Sequence, residues 1–470
     1  MAGRRRSALT GPVLVLATLV SSVISSFGAP LIPTVARDFH EPLSTAQWSL
    51  TVALLAGTVS SPVLGRLGDG PRRRATMLGG LAVVTAGGVV AALAGSLGML
   101  LVGRGLQGTG LALAPLAMAN ARAELPAAKV APMIALLSVS SAAGLGAGYP
   151  VSGLIAGAWG LAGTYWFGVI VSGLALVCVA AVIPSGAGRG APARLDWAGA
   201  VLLALALVTA LVAVAQGTQW GWGSPEIVGL LAVGAVLFAV WAAQQVRTGS
   251  PLVELRLLRH PSVLSGDVCA LVLGAAMYMV LTGVMDFVQS PRSGGSGFSA
   301  STVVAGLVLI PLALFMLGSS RALPALTARA GVRMVLGLGC LVAALGCGFF
   351  AVFHGALWQA FVMMGVLGVG LGTTFAAIPG LIVQAVPVRE TGSAVGFYQV
   401  VRFAGFSLGS ALTAAILAAH VAGNGQPAAG GYTTVLWTSA CICSAAALAW
   451  FLPARSTRPA PTNYEEARVG

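Results

Sequence analysis

The chain has 470 residues, of which 57% are hydrophobic and 8% are charged, and its formal net charge is +13. A soluble domain carries about 25% charged residues, so this composition excludes a soluble globule. The basic residues stand singly or in short groups between apolar stretches, whereas a nucleic-acid-binding domain gathers them on one face. The composition therefore predicts an all-α protein embedded in a lipid bilayer, with nucleic acid excluded as a partner.

The hydropathy pattern predicts fourteen membrane-spanning helices, numbered here as spans 1 to 14, because apolar stretches of about 20 residues recur along the chain. Span 1 follows three arginines and lacks a cleavage site of small residues, so we expect it to be uncleaved. The predicted spans lie near residues 11–33, 45–65, 76–96, 98–121, 130–157, 160–183, 196–216, 226–246, 262–289, 300–322, 333–353, 356–378, 391–419 and 432–453.

Arginine and lysine residues mark alternate loops. They precede span 1 and follow every even-numbered span, while the opposite loops hold only Arg37 and Arg292. Because positive residues stay on the cytoplasmic side, both termini are predicted to be cytoplasmic. We expect a multi-pass protein of the cell membrane, specifically a bacterial inner membrane, with a disordered tail at 454–470.

Two segments eight spans apart resemble each other. Span 4 continues as GTGLALAPLAMANARAELP from Gly108, and span 12 contains GLGTTFAAIPGLIVQAVP from Gly370. Two six-helix halves separated by two extra helices explain this offset, and many secondary transporters are built of two related halves. The sequence thus predicts six-helix bundles at 1–184 and 261–453, joined by a linker at 185–260 that holds spans 7 and 8. We expect these two spans to lie outside the bundles and away from the central cavity.

The loop between spans 2 and 3, GRLGDGPRRR from Gly65, holds five charges in ten residues. A loop that is merely positive inside would explain the arginines but not the Gly-x-Leu-x-Asp pattern. The loop resembles the signature loop of the major facilitator superfamily, although Gly70 and Arg72 depart from the usual residues. The matching positions are Gly65, Leu67, Asp69, Arg73 and Arg74.

This resemblance implies a latch between the two halves, made of Gly65, Asp69, Arg73 and Arg74. Asp69 is expected at the N-terminus of span 13, near Thr391, where the helix dipole favours a carboxylate. Arg73 is expected to pair with Asp69 or with a nearby carboxylate such as Glu390. The latch would hold one conformation and break in the other.

Further motifs resemble the fourteen-helix drug:proton antiporter family within that superfamily. LLVGRGLQGTG is similar to its span 4 motif, and LDWAGAV and SPLVELRLLRHPS are similar to its extra helices and the loop after them. GLGAGYPVSG is similar to its span 5 antiporter motif, whose small residues let helices approach closely. This motif contributes Gly144, Gly146, Gly148, Pro150 and Gly153.

The resemblance implies a monomeric secondary exporter that exchanges a lipophilic small molecule, such as a drug or antibiotic, for protons. The chain shows no convergent catalytic set, no nucleotide-binding G-x-x-x-x-G-K-[ST] loop and no metal-ligand spacing, so we expect no enzyme, no cofactor and no metal. A membrane sensor is a weaker alternative. An uncoupled or importing metabolite carrier of the same fold stays open, because Ser25 and Ser26 stand where many family members carry an acid.

Charged residues inside spans are candidates for coupling, because such residues are expensive in a bilayer. Asp267 and Asp286 lie 19 residues apart on span 9, and Asp267 is the preferred proton carrier. Arg104 is predicted to keep a neighbouring carboxylate ionised, and Arg402 to pair with a carboxylate or bind an anionic substrate group. The alternatives are an interfacial Asp286, a helix-start Asp267 and an Arg104 that snorkels outward.

Polar side chains on spans 1, 4, 9 and 13 are predicted to form the substrate pocket or its gates. The expected partners are a small lipophilic substrate, protons and the lipid bilayer. The pocket candidates are Ser25, Ser26, Gln107, Tyr278, Gln289, Tyr398 and Gln399.

Overall fold

The computed structural model describes residues 2–28, 31–69, 72–183, 195–292, 297–421 and 427–452, and these residues form an all-helical fold. The α-helices are α1 (Ala2–Ser25), α2 (Ile32–Asp38), α3 (Leu43–Ala46), α4 (Trp48–Gly68), α5 (Arg73–Ala92), α6 (Leu97–Gly108), α7 (Leu113–Glu124), α8 (Ala127–Val182), α9 (Trp197–Trp220), α10 (Pro225–Arg247), α11 (Pro261–Gln289), α12 (Thr302–Val308), α13 (Ile310–Val352), α14 (Leu357–Ala385), α15 (Thr391–Ala419) and α16 (Ala429–Phe451). Short 3₁₀ helices lie at Thr109–Ala112, Leu255–Arg259 and Val388–Glu390.

Eleven helices in the described ranges are long and apolar enough to cross a membrane. Two of them are far longer than a bilayer requires, namely Ala127–Val182 with 56 residues and Val303–Val352 with 50 residues. Each is broken by one glycine with a positive φ, Gly160 at 68° and Gly331 at 77°. Glycine adopts this backbone conformation without a steric penalty, so it is the residue that divides each long helix into two segments.

The predicted boundaries hold best in the second half of the chain, where α15 coincides with span 13 and α11 begins one residue before span 9. Span 1 was predicted too long. Helix α1 ends at Ser25, and the chain forms a turn before α2 begins at Ile32. Pro33 lies in the first turn of α2, where its missing N–H is not needed, so hydropathy alone had merged two helices.

Two predicted loops are partly helical. The loop predicted between spans 7 and 8 is shorter, because α9 continues to Trp220 and the turn begins at Gly221 with φ 87°. The loop predicted between spans 10 and 11 belongs to α13 up to the break at Gly331. Both stretches are helical but carry polar residues, and polar residues lower the mean hydropathy so that these stretches were predicted as loops.

Helices α1–α8 form the first half of the molecule and α11–α16 the second half, and close helix contacts build each half. In the second half, α11 and α15 approach so closely that only glycine fits. A Cβ added to Gly405 would lie 2.3 Å from the Leu271 carbonyl oxygen, and one added to Gly409 would lie 2.1 Å from that of Ala275. Glycine is therefore required here by packing.

The two extra helices, α9 and α10, pack against the seam where α4 and α15 meet. Trp241 of α10 is fully buried and stacks on Phe397 of α15, with ring centroids 6.3 Å apart. Asp196 caps α9 by accepting a hydrogen bond from the Gly199 amide at 2.8 Å, and it also accepts one from Gln245 of α10 at 2.7 Å. The pair is thus held together at one end and covers the boundary between the halves.

Replacing Gly409 tests the close approach of α11 and α15. Gly409→Ala places a methyl group against the Ala275 carbonyl, and overpacking of this kind costs about 1–3 kcal/mol. We expect a lower midpoint of thermal unfolding for the purified protein in detergent.

Gly79→Ala is the matched control, because Gly79 is also inside a helix but has no atom within 4 Å of an added Cβ. Alanine has the higher helix propensity, so this variant should be as stable as the unchanged chain or slightly more stable. Equal midpoints for both variants would contradict the packing argument.

Candidate functional site

The two halves are joined where α4 ends and α15 begins. Asp69, the residue after α4, accepts hydrogen bonds from the backbone N–H groups of Gly392 at 2.5 Å and Ser393 at 2.9 Å. These are among the first N–H groups of α15, which have no partner within their own helix. Asp69 therefore caps a helix of the other half, and the helix dipole adds to the attraction of its carboxylate.

Small residues allow this contact. A Cβ added to Gly65 would lie 2.3 Å from the Gly392 carbonyl oxygen, and one added to Gly396 would lie 2.7 Å from that of Ser61. The backbones of α4 and α15 consequently touch, and the carboxylate of Asp69 reaches the end of α15 directly. Asp69 thus lies at the N-terminus of α15, where the sequence analysis expected it, with Gly65 one turn earlier, and the latch role of both residues stays a prediction.

The arginine that supports the contact is Arg122, which the sequence analysis had treated as a loop charge. Arg122 of α7 donates hydrogen bonds to the Thr391 hydroxyl at 2.7 Å and to the Val386 carbonyl at 3.0 Å. It thus ties the first half to the second beside Asp69. We call this set the interhalf contact: Asp69, Arg122, Thr391, Gly392 and Ser393.

The other two arginines of the predicted latch have different surroundings. Within the described residues the ion pairs are Arg37–Asp38 and Arg256–Glu254, so Arg73 pairs with neither expected carboxylate there. Arg74 donates a hydrogen bond to the Ala180 carbonyl at 2.7 Å, which joins α5 to α8 within the first half. A latch role for these two residues stays a prediction.

Burial raises the pKa of the Asp69 carboxyl from 3.8 to about 6, although the hydrogen bonds from Gly392 and Ser393 and the charge of Arg66 lower it. The rise means that removing the group from water outweighs the favourable contacts. The Asp69 carboxyl therefore binds a proton more readily than an exposed aspartate does.

Arg104 of α6 is fully buried, which excludes snorkelling to the membrane surface. It donates hydrogen bonds to the carbonyls of Ser49, Ile24 and Ser25 at 3.1, 3.0 and 2.9 Å, and to the Gln107 side chain at 2.8 Å. Two of these carbonyls belong to the last turn of α1, where carbonyls lack helical partners. Arg104 thus ties α1 and α4 to α6, and no carboxylate is among its hydrogen-bond partners in the described chain.

The predicted pocket residues of spans 1 and 4 are buried around this arginine. Ser25 donates hydrogen bonds to the carbonyls of Ser21 at 2.7 Å and Gln107 at 2.9 Å. Ser26 donates to the Val23 carbonyl at 2.8 Å. These hydroxyl groups therefore stabilise contacts between helices of the first half, and they do not line the cavity described below.

The span 5 glycines divide between two faces of α8. A Cβ on Gly144 would lie 2.8 Å from Ser22, and one on Gly148 would lie 2.6 Å from the Val23 carbonyl, so this face packs on α1. On the other face, a Cβ on Gly306 of the second half would lie 3.3 Å from Pro150. Gly146 also faces the second half, at 4.0 Å from Leu312, and Gly153 is half-buried. The motif thus serves packing within one half and contact with the other.

A cavity of about 210 Å³ lies between α4, α9, α11 and α15. Its wall includes residues of α4 between Gln47 and Thr58 and residues of α15 between Phe403 and Ala414. These are the parts of both helices that lie away from Asp69, so the cavity and the interhalf contact lie at different depths.

Helix α9 contributes Leu211, Val214 and Gln216 to the cavity wall. The expectation that spans 7 and 8 stay away from the cavity is therefore wrong for span 7. The physical reason is the seam: α9 packs along the groove between α4 and α15, so the space that these two helices leave is closed by α9.

Tyr278 is the one predicted pocket residue that lines this cavity. Its ring stacks on Phe406, with centroids 5.0 Å apart, and its hydroxyl lies 3.2 Å from that of Tyr149 on α8. The tyrosine pair therefore joins the two halves beside the cavity. Tyr149 was overlooked in the sequence, where it stands inside the span 5 motif, next to Pro150.

The two carboxylates of span 9 differ in environment. Asp267 is buried, and within the described structure neither of its carboxylate oxygens has a hydrogen-bond partner. Asp286 is exposed near the end of α11 and accepts a hydrogen bond from the Tyr432 hydroxyl at 3.0 Å. Gln289, one turn later, is exposed as well. The interfacial alternative fits Asp286, and Asp267 remains the buried candidate.

Arg402 of α15 lies where the two halves meet, fully buried, with its guanidinium carbon 5.5–5.8 Å from four aromatic ring centres. Its neighbours on α15, Tyr398 and Gln399, are buried too, and both side-chain amide atoms of Gln399 lack a partner in the described chain. A signal was present in YQVVRFAGF, because residues four apart share one helix face and this places Tyr398 and Phe406 beside Arg402.

The molecule has two helical halves. A helix cap made by Asp69 of one half on α15 of the other joins them at one face, and a cavity lies between them at another depth. This is the architecture of a membrane transporter. A family model described as Major Facilitator Superfamily matches residues 14–410 and 326–469. The chain therefore belongs to the major facilitator superfamily, and it is a multi-pass membrane protein.

Its relatives include proteins named for resistance, export or transport. It is 27% identical over 397 residues to the Tetracenomycin C resistance and export protein of Streptomyces glaucescens, which covers 83% of this chain and 72% of that protein. It is 27% identical over 403 residues to Multidrug resistance protein Stp of Mycobacterium tuberculosis, and this match covers 84% of this chain and 73% of that protein. It is 31% identical over 403 residues to the Probable actinorhodin transporter of Streptomyces coelicolor, and this match covers 81% of this chain and 67% of that protein.

The fold is also similar to a solved structure, that of the human organic anion transporter MFSD10 (TETRAN). The TM-score is 0.66, and the match covers 94% of this chain and 99% of that one. At 14% identity this similarity concerns the fold alone.

Asp69→Asn tests the interhalf contact. Asparagine has one acceptor oxygen for two N–H groups and turns its NH₂ toward the other, and a lost hydrogen bond to a charged group costs about 1.5–3 kcal/mol. We expect transport to fall about tenfold or more while the protein still inserts into the membrane, as shown by reconstituted transport and a membrane-fraction immunoblot.

Arg122→Gln should have the same effect, because Arg122 bridges the halves beside Asp69. Arg72→Gln is the matched control, since Arg72 is an exposed arginine of the same loop. Normal transport by the Asp69 variant, or an equal loss in the Arg72 variant, would refute the role of the contact.

The pKa of Asp69 predicts a pH dependence of the interhalf contact. When the halves separate on this face, Asp69 returns to water and its pKa returns to about 3.9, so the closed form binds more protons between about pH 4 and about pH 6. Protonation of Asp69 therefore stabilises the closed form. This stabilisation is fully present below about pH 4 and is lost as the pH rises through about 6.

We therefore expect the closed fraction to increase when the pH falls from about 7 to about 5. Electron–electron resonance distances between spin labels at exposed Ala128 and Val388, in a cysteine-free background, measure this fraction. Asp69→Asn should remove the dependence, because it has no group to titrate. An unchanged pH dependence in that variant would assign the effect to another residue.

Proposed function

We propose that this protein is a proton-coupled antiporter that exports lipophilic small molecules of the drug or antibiotic class across a bacterial inner membrane. Membership of the major facilitator superfamily supports a transport function. The names of its relatives, a tetracenomycin C export protein, a multidrug resistance protein and a probable actinorhodin transporter, support export of such compounds.

The observation that carries the proposal is the interhalf contact. A carrier must close one face while its site is open to the other, and it needs a contact that forms and breaks as its halves rock. The carboxylate of Asp69 on the end of α15 is such a contact, because it is made of a few hydrogen bonds at a point where glycines bring the two backbones together.

The proposed topology has fourteen spans in the order six, two and six, with both termini in the cytoplasm. Eleven helices qualify by length and hydropathy, the breaks at Gly160 and Gly331 each divide one of them, and the apolar helix Leu9–Ser25 adds another. The proposed regions are 1–184, 185–260 and 261–453, and the proposed tail at 454–470 lies outside the described residues. We propose that the chain works as a monomer.

Asp267 is the proposed proton carrier. It is the only carboxylate among the buried side chains of the described ranges, and its oxygens have no partner there. A buried carboxyl group without a partner is less costly in its neutral form. A change of conformation that opens the group to water would release the proton, which is the step that antiport needs.

Asp267→Asn tests the coupling, because asparagine has nearly the same shape but cannot release a proton. In reconstituted vesicles with an imposed pH gradient, we expect this variant to lose proton-driven accumulation of a lipophilic substrate. Exchange of labelled for unlabelled substrate without a gradient should persist, since it needs no proton.

Asp286→Asn is the matched control on the same helix, at an exposed position, and should keep both activities. If both variants accumulate substrate as the unchanged protein does, the carrier is uncoupled or another group carries the proton. If only the Asp286 variant loses accumulation, the assignment to Asp267 is wrong.

A further inference from the structure

The two fully buried arginines of the described structure have opposite surroundings. Arg104 donates four hydrogen bonds of 2.8–3.1 Å to fixed oxygens of its own half. Arg402 donates a single long one, of 3.5 Å, to the Ser141 hydroxyl of the other half. Its Nε and Nη1 atoms have no partner within the described residues.

A guanidinium group in this state is unusual, because buried charges are normally paired and hydrogen-bonded. Neither ion pair of the described ranges, Arg37–Asp38 or Arg256–Glu254, involves Arg402. The rings of Phe375, Tyr398, Phe403 and Phe406 surround it at 5.5–5.8 Å and offset part of the cost by cation–π attraction. Of these four residues only Tyr398 carries an acceptor, its hydroxyl, and that hydroxyl has no hydrogen-bond partner within the described residues.

The aromatic cage of Arg402 is also part of the cavity wall. Phe403 and Phe406 line the cavity on one side and face the guanidinium on the other, and Tyr278 stacks on Phe406. A rotation of these rings would join the guanidinium to the cavity. The described wall contains apolar, hydroxyl and amide side chains and no carboxylate.

We infer that the substrate of this transporter is an organic anion with a planar apolar body, and that Arg402 binds its acidic group. This inference rests on the proposed export function and specifies its substrate. The acid would accept hydrogen bonds from Nε and Nη1, which form a fork suited to two acceptor oxygens. The rings of Phe403, Phe406 and Tyr278 would hold the planar body.

Gln399 supports this assignment as a second polar group. It lies three residues before Arg402, so the two side chains are neighbours on the surface of α15. It is buried with its amide nitrogen and oxygen both unpartnered in the described chain. Its NH₂ group can donate a further hydrogen bond to an acid. A cationic substrate would be repelled by the positive charge of Arg402, which no carboxylate among the described residues compensates.

Three probes with one ring system and different charges test the inference. They are 9-anthracenecarboxylate, 9-anthracenemethanol and protonated 9-(aminomethyl)anthracene, each titrated onto the full chain in lipid nanodiscs, with empty nanodiscs subtracted. Energy transfer from protein tryptophan to anthracene measures binding. We expect the carboxylate to bind about tenfold or more tighter than the alcohol, and the amine to bind weakest.

Arg402→Gln should reduce the preference for the carboxylate over the alcohol to about one, while Arg402→Lys should keep part of it, since lysine retains the charge without the fork. Arg256→Gln removes an exposed arginine and should leave the preference unchanged. If Arg402→Gln yields too little folded protein, the lysine variant and the binding of the three probes to the unchanged chain still test the inference.

Equal binding of the three probes to the unchanged chain, or a preference that survives Arg402→Gln, would overturn the inference and leave Arg402 a packing residue held by its rings. Transport in vesicles separates this from the proposed function. If the neutral or cationic probe is exported as well as the carboxylate, only the assignment of an anionic substrate is wrong. Binding of the carboxylate through Arg402 without translocation of any probe sinks the export function instead.

Discussion

The structure depends on one helix cap made between two halves of the molecule. Asp69 stands 323 residues before the amide group of Gly392 that it binds. The N-terminus of α15 would otherwise have exposed N–H groups and an uncompensated dipole facing the first half. The cap consists of a few directional bonds, and the burial of its carboxylate offsets their contribution, so the cap can form and break. This is the property that a contact in a moving transporter requires.

Both halves bury polar groups whose hydrogen bonds are incomplete within the described residues. In the first half, Arg104 donates to the Ser25 carbonyl and Ser25 to that of Gln107, whereas the hydroxyls of Ser21, Ser49 and Tyr165 have no partner in the described chain. In the second half, Asp267, Gln399 and Arg402 are buried with unused hydrogen-bonding atoms. Unsatisfied polar groups destabilise a protein unless a ligand or a proton completes them.

The extra helices have a structural role that follows from their position. Helices α9 and α10 cover the seam between α4 and α15, with Trp241 stacked on Phe397 and Leu211 on the cavity wall. The seam is where the halves must slide, and the cavity would face lipid there without α9. Helix α9 packs on both α4 and α15 and so closes this side of the cavity.

Much of this protein is determined by its sequence alone. Hydropathy identifies the membrane helices because the bilayer requires about 20 apolar residues for each crossing, and it located α11 and α15 almost to the residue. The pattern Gly-x-Leu-x-Asp pointed to Asp69 through its resemblance to the signature loop of the superfamily, which implied a carboxylate at the N-terminus of α15. The sequence also named Arg104, Asp267 and Arg402, since any charge inside a span is conspicuous.

Only the tertiary structure decided what these residues touch. It showed Arg122 rather than Arg73 at the contact, α9 on the cavity wall, and Arg104 satisfied while Arg402 is not. Contacts between helices depend on which faces meet, and a hydropathy pattern in which nearly every residue is apolar does not specify a face. The partners of a buried charge come from helices far away in the chain, so local spacing cannot reveal whether its hydrogen bonds are complete.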